Sequence, residues 1–154
     1  MTVMKFIPAY ALFVALSACS GPTEPLTVKQ FTLRDQDSSV VDDPMVQNEK
    51  LRRLHGAVSV EERKQRLGQY YTILWNDPKT VGIRREIVFR YQQGGSGSRI
   101  KEMRRTLSPE AFEGKEEFTV IGDEYFENGR VLAWKIDFTA NGETIASKQS
   151  YLWE

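Results

Sequence analysis

Two Asn-Gly dipeptides, Asn128-Gly129 and Asn141-Gly142, constrain this chain more than any other feature. Both residues of such a pair accept positive φ, so Asn-Gly between alternating apolar runs favours the type I′ turn of a two-residue hairpin. Together they predict a three-strand meander over residues 118–126, 130–138 and 143–153. The first turn sets Glu127 opposite Arg130, Tyr125 opposite Leu132, Asp123 opposite Trp134 and Ile121 opposite Ile136. The second sets Phe138 opposite Ile145, Ile136 opposite Ser147, Trp134 opposite Gln149 and Leu132 opposite Tyr151. Either register places Leu132, Trp134, Ile136 and Phe138 on one apolar face. The other face sets Lys135 against Lys148, with Asp137 and Glu124 on diagonals. Asp123 is a misfit on the apolar side unless it lies at the rim or a bulge near Gly122 turns it outward.

The preceding segments continue this pattern. Residues 70–75, Tyr-Tyr-Thr-Ile-Leu-Trp, are apolar on both faces and read as a strand covered on two sides, stopped by Asn76-Asp77-Pro78. Residues 86–92 alternate, with Ile87, Phe89 and Tyr91 on one face, and residues 99–107 return across the loop 94–98 as the partner strand. A first strand fits residues 27–34. Between these, Asp43-Pro44 and the spacing of Val46, Leu51 and Leu54 predict a helix, and Ser59 with Glu62 makes a capping box for a second, ended near Gly68.

Six or seven antiparallel strands predict an all-β fold. We expect a two-layer sandwich of immunoglobulin or fibronectin type III character with a short helical insert near the N-terminus, and Trp75 and Trp134 in its core. A single curled antiparallel sheet packed on the helix is the alternative, and a half-open barrel the third possibility. One cysteine in 154 residues allows neither an intrachain disulfide nor a Cys-based zinc site, so packing alone must hold the domain. Eight Phe, six Tyr and three Trp supply the material.

That cysteine stands at position 19, after Lys5 and a short apolar run over residues 6–16. A helix of that length spans roughly 16 Å, about half of a hydrocarbon core, which suits a cleaved signal better than a permanent span. Leu16-Ser17-Ala18-Cys19 resembles the lipobox of bacterial lipoproteins. The resemblance implies that Leu16, Ser17 and Ala18 are read by the signal peptidase and that Cys19 becomes the diacylated and N-acylated first residue of the mature chain. Acyl chains, palmitate among them, would anchor the protein to a membrane at about 0.8 kcal/mol per buried methylene. Ser20 resembles the outer-membrane sorting pattern, which favours the periplasmic face of the outer membrane. The expected organisation is a signal peptide over 1–18, a lipidated tether over 19–26 and one β-rich domain over 27–154. The segments 52–58, 67–71 and 129–134 are also similar to small uncharacterised lipoproteins of Verrucomicrobia-like bacteria, a resemblance that implies no activity.

Several chemistries find no support in the residues. Lys and Arg total 21 against 21 Asp and Glu, unlike a nucleic-acid-binding domain. His55 is the single histidine and stands beside Gly56 at a predicted helix end, with no assembled nucleophile. Asp123, Glu124 and Glu127, and Glu113, Glu116 and Glu117 before them, lack calcium-loop spacing. The glycine-rich loop 94–98 lacks the Gly-Lys-Ser/Thr ending of a phosphate loop. No enzyme, cofactor or metal is therefore expected. The expected function is a lipid-anchored adaptor or structural module of the cell envelope that binds another envelope protein. The alternative draws on a basic hairpin: Arg84, Arg85, Arg90, Arg99, Lys101, Arg104 and Arg105 would bind an anionic lipid, lipopolysaccharide or acidic polymer.

Overall fold

A computed structural model describes residues 24–35 and 43–153; the lipobox, Leu16 to Cys19, lies outside them. Seven strands form two antiparallel sheets, an arrangement compatible with a β-sandwich. The three-stranded sheet runs β1 (Leu26–Leu33), β2 (Gly68–Asn76), β5 (Glu113–Ile121), with β2 at its centre. The four-stranded sheet runs β4 (Lys101–Thr106), β3 (Arg85–Gln93), β6 (Val131–Ala140), β7 (Glu143–Gln149). The chain changes sheet between β2 and β3, between β4 and β5, and again between β5 and β6.

The core forms where the inner faces meet. Leu26, Tyr71, Ile73, Trp75, Phe118 and Val120 from one sheet contact Ile87, Phe89, Tyr91, Ile136 and Phe138 from the other. Rings dominate it: Phe89 stacks on Tyr91 at 5.0 Å and meets Tyr71 at 4.7 Å between centroids, geometries that add to the burial of apolar area. Trp75 is buried, and Trp134 packs half-buried against the same cluster. Its inward approach leaves no room at Gly114, where a Cβ would lie 2.8 Å from the Trp75 ring.

The inner face of β2 is buried along its length, and its outer face is covered at the Tyr70 end. Outward, Tyr70 joins Leu33 and Leu67 in a second cluster, with Phe31, Leu54 and Ile121 packed against it. Leu54, at the end of the first of two helices, supplies part of that cover, and Leu67 follows the second. Helix α1 (Pro44–Leu54) starts at Asp43, whose Oδ1 accepts from the Met45 N–H at 2.8 Å. Helix α2 (Val60–Lys64) starts from the Ser59–Glu62 capping box.

The Asn141-Gly142 dipeptide forms the expected tight turn, with φ of 49° and 87°. Thr139 pairs with Thr144 and Ala140 with Glu143, but a bulge then shifts the register so that Phe138 faces Ala146 rather than Ile145. The shift brings Ile136 opposite Lys148, which removes the like-charge pair between Lys135 and Lys148. A second bulge, between Gln92 and Gln93 on β3, leaves Leu132 opposite neither strand residue. Trp134, Ile136 and Phe138 keep the inward face, while Leu132 is exposed and Val131 takes its place in the core.

Asn128-Gly129 behaves differently from its sequence signal. Residues 118–121 end β5, which pairs with β2 and not with β6, and residues 122–128 form helix α3 (Gly122–Asn128). Gly122, at φ +59°, starts the departure, and the meander is cut to the single β6–β7 hairpin. Asp123, thereby turned out of the apolar face, is exposed on α3 and accepts from Gln65 Nε2 at 2.9 Å. The glycine-rich loop after β3 serves the close approach of α3: a Cβ on Gly95 would meet the Asn128 carbonyl at 2.9 Å. Buried Gln93 fastens it, its Nε2 donating to the carbonyls of Glu124 and Gly129.

Candidate functional site

Strand alternation divides the basic hairpin between two faces. Arg90 and Arg104 share the outward face of the four-stranded sheet, Lys101 and Arg105 take the inward side of edge strand β4, and Arg99 stands exposed before that strand. Arg85 is fully buried. Its guanidinium lies 5.1 Å over the Trp75 ring and donates to the carbonyls of Asp77 at 3.4 Å, Ser108 at 2.9 Å, Pro109 at 3.1 Å and Ala111. It closes the β4–β5 connection and is not available to a ligand.

On the outer face, carboxylates separate the cations. Arg84 pairs with Glu86 at 2.7 Å, Arg104 with Glu102 at 2.6 Å, Arg90 with Glu102 at 2.8 Å and with Asp137 at 2.6 Å. Arg104 also approaches Glu86, and Lys135 approaches Asp137, each at 3.7 Å. The Arg104 hydrogen bond, joined by Arg90, holds the Glu102 carboxyl below the ordinary range. Lys101 reaches Gln93 Oε1 at 2.9 Å and Glu124 at 2.5 Å. Arg105 lies 5.8 Å over the Phe118 ring. Charges of alternating sign present no uniform positive potential to an acidic polymer.

His55 is exposed just beyond α1, and its backbone carbonyl accepts from Arg66 at 2.6 Å. Among the described residues no group of His, Cys, Asp and Glu could hold a metal ion, and no helix is long and apolar enough to cross a membrane.

The outer face of the three-stranded sheet is built differently. Lys29 and Phe31 on β1, Tyr70, Thr72 and Leu74 on β2, and Lys115 and Glu117 on β5 share it by register. Helix α1 is fastened there at its C-terminal end. Arg53, with a side chain 6% exposed, pairs with Glu49 at 2.7 Å on its own helix and with Glu117 at 2.9 Å on β5. Its guanidinium also lies 3.6 Å from the Tyr70 ring centroid, a cation–π contact. Hydrogen bonds from Arg53 draw the Glu117 carboxyl below its ordinary value, and burial pushes the Tyr70 hydroxyl up.

The N-terminal end of α1 stands off the sheet. Between them runs a groove of about 420 Å³, floored by Phe31, Thr72 and Leu74 and walled by Met45 and Val46. Met45 is 80% exposed. Lys29, Arg52 and Lys115 stand around it. Arg52 is neutralised by Glu49 at 2.6 Å, whereas Lys29 and Lys115 are exposed with no ion pair among the described residues. Of the four edge strands, β1, β5, β4 and β7, the edges β4 and β5 carry charged residues along their length, which discourages strand addition.

Sequence reasoning overlooked Arg53 and the groove. Its signal was the one outward row that is apolar on adjacent strands, Phe31 beside Tyr70, which becomes visible only once the pairing of β1 with β2 is known. Compared with known proteins, the chain matches no family model, no curated protein and no solved structure.

Proposed function

We propose that this chain is a non-enzymatic, lipid-anchored protein of the bacterial envelope, held by acyl chains on Cys19, that serves as an adaptor for another envelope protein. The sorting pattern at Ser20 favours the periplasmic face of the outer membrane. The observation that carries the adaptor reading is the groove beneath α1, which exposed Met45 lines together with Phe31 and Leu74. Apolar walls with two lysines that form no ion pair among the described residues suit a partner segment that presents apolar side chains flanked by acidic ones. We assign the sandwich a fibronectin type III-like character. The supports are the three-stranded sheet β1-β2-β5 facing β4-β3-β6-β7, and the placement of β3, β6 and β7 as the C, F and G strands of that architecture.

A photo-crosslinking residue at position 46, which also lines the groove, activated in the native envelope, tests the adaptor reading. One stoichiometric protein adduct, lost on Met45→Glu while the melting temperature is unchanged, supports it. Adducts to glycolipid alone overturn it. Intact mass of the membrane-extracted protein tests the anchor separately: a mature chain beginning at Cys19 without acyl mass refutes lipidation.

A further inference from the structure

The inner face of β1 changes character along its length. Leu26 and Val28 pack into the core opposite Trp75 and Ile73, but the next inward positions are Gln30, opposite Tyr71, and Thr32, opposite Gln69. Gln30 is exposed and Thr32 half-buried, so the space between the sheets is open to solvent at this end of β1. Here they border a pocket of about 210 Å³, many times the ~10–15 Å³ that one water needs. The pocket lies where the two sheets part, beside the N-terminal end of β6. Arg34, just beyond β1, and Arg130, just before β6, both line it, as does Tyr125 on α3.

Three properties mark this pocket as a place for an anion. First, no carboxylate lines it, and neither Arg34 nor Arg130 has a side-chain hydrogen bond or ion pair among the described residues. Most other arginines of the domain are engaged by carboxylates, carbonyls or rings. Second, Gln69 is only 4% exposed, and its Oε1 accepts from the Val131 N–H at 2.6 Å. That bond orients the amide of this lining residue and leaves its Nε2 a donor with no partner among the described residues. Third, Gln30, Thr32 and Tyr125 add groups that can donate, without adding negative charge.

We propose that this pocket binds a phosphomonoester group, with Arg34 and Arg130 as its two charged ligands and Gln69 as its oriented neutral donor. Two guanidinium forks match a dianion with three terminal oxygens better than the single charge of a carboxylate. The site is on the sheet junction and shares only Gln30 with the groove beneath α1.

Titration of the full chain with inorganic phosphate, followed by calorimetry and amide NMR, tests the assignment. Saturable binding that moves the Arg34, Gln69 and Arg130 resonances is expected. Arg34→Gln and Arg130→Gln should each weaken it at least tenfold without changing the melting temperature, because both side chains are exposed. Lys79→Gln, an exposed cation beyond the far end of β2, should leave it unchanged. Vesicles containing phosphatidic acid identify the source of the group. Capture that inorganic phosphate reverses and Arg130→Gln abolishes means a lipid headgroup, while no capture means a soluble phosphomonoester. Absence of saturable phosphate binding, or equal affinity in the two arginine variants and the unaltered chain, overturns the proposal.

Discussion

Arg53 and Glu117, 64 positions apart, meet through two hydrogen bonds of 3.2 and 2.9 Å, the principal polar tie between helix α1 and the three-stranded sheet. The same guanidinium covers the Tyr70 ring and receives Glu49 on its other side. A side chain so enclosed is desolvated on folding, and that cost is offset only while both carboxylates remain in place.

Removing the cation should therefore cost more than removing either anion. Arg53→Met is expected to destabilise the domain by about 2–3 kcal/mol, since it leaves Glu117 half-buried and unpaired and removes the contact with Tyr70. Glu117→Gln should cost about 1 kcal/mol, discounted because a third of its side chain meets water. Urea unfolding of both variants, with unchanged m, measures the difference. Equal effects would mean that α1 is held by Leu54 packing alone.

The same cluster predicts an acid-labile contribution to stability. The Arg52 hydrogen bond, with Arg53 beside it, holds the Glu49 carboxyl at about 2 against an ordinary 4.5, and Arg53 draws Glu117 down in the same direction. Both carboxyls release their protons more readily in the folded chain. The contribution is complete above about pH 4.5 and is lost as pH falls toward 2. Unfolding free energy measured from pH 6 to pH 2.5 should fall across that window, and Glu49→Gln combined with Glu117→Gln should make the fall shallower. An identical pH slope in the double variant would contradict the assignment.

Neighbouring arginines should respond by very different amounts. Arg85→Leu removes the donor for four backbone carbonyls at the fully buried end of β3, and a loss of about 3 kcal/mol is expected. Arg84→Leu removes an exposed partner of Glu86 and should change stability by less than about 0.5 kcal/mol. Thermal and urea melts of the two single variants settle the contrast, and similar losses would show that Arg85 does not brace the β4–β5 connection.

Much of the β architecture was legible because its signals are local. Doubly apolar Tyr70–Trp75, the alternation of Ile87, Phe89 and Tyr91, and the positive-φ pair Asn141-Gly142 each act within a few residues of themselves, and each lies in a strand or turn where expected. Asn128-Gly129 carries the same dipeptide into a different role. Whether it turns a hairpin depends on whether residues 118–121 pair with β6, and they pair instead with β2, far away in sequence. Gly129, at φ +76°, then ends a helix rather than a turn.

The candidate sites were far less legible. Seven basic residues between positions 84 and 105 suggested one patch, yet side chains of a strand alternate between faces, so the cluster divides among the outer ion pairs, the β4 edge and the buried end of β3. Arg34, Gln69 and Arg130 are distant along the chain and show nothing in common until the sheets are packed.

The sequence by itself determined a β-rich chain with antiparallel grammar, aromatic core material and neutral charge, because propensity, alternation and turn chemistry are properties of neighbouring residues. Only the tertiary structure decided which strands share a sheet, where two bulges shift the inward face, and which arginines keep an unneutralised charge. Those outcomes depend on groups that meet across long stretches of chain, where the free energy of packing and desolvation selects the partner.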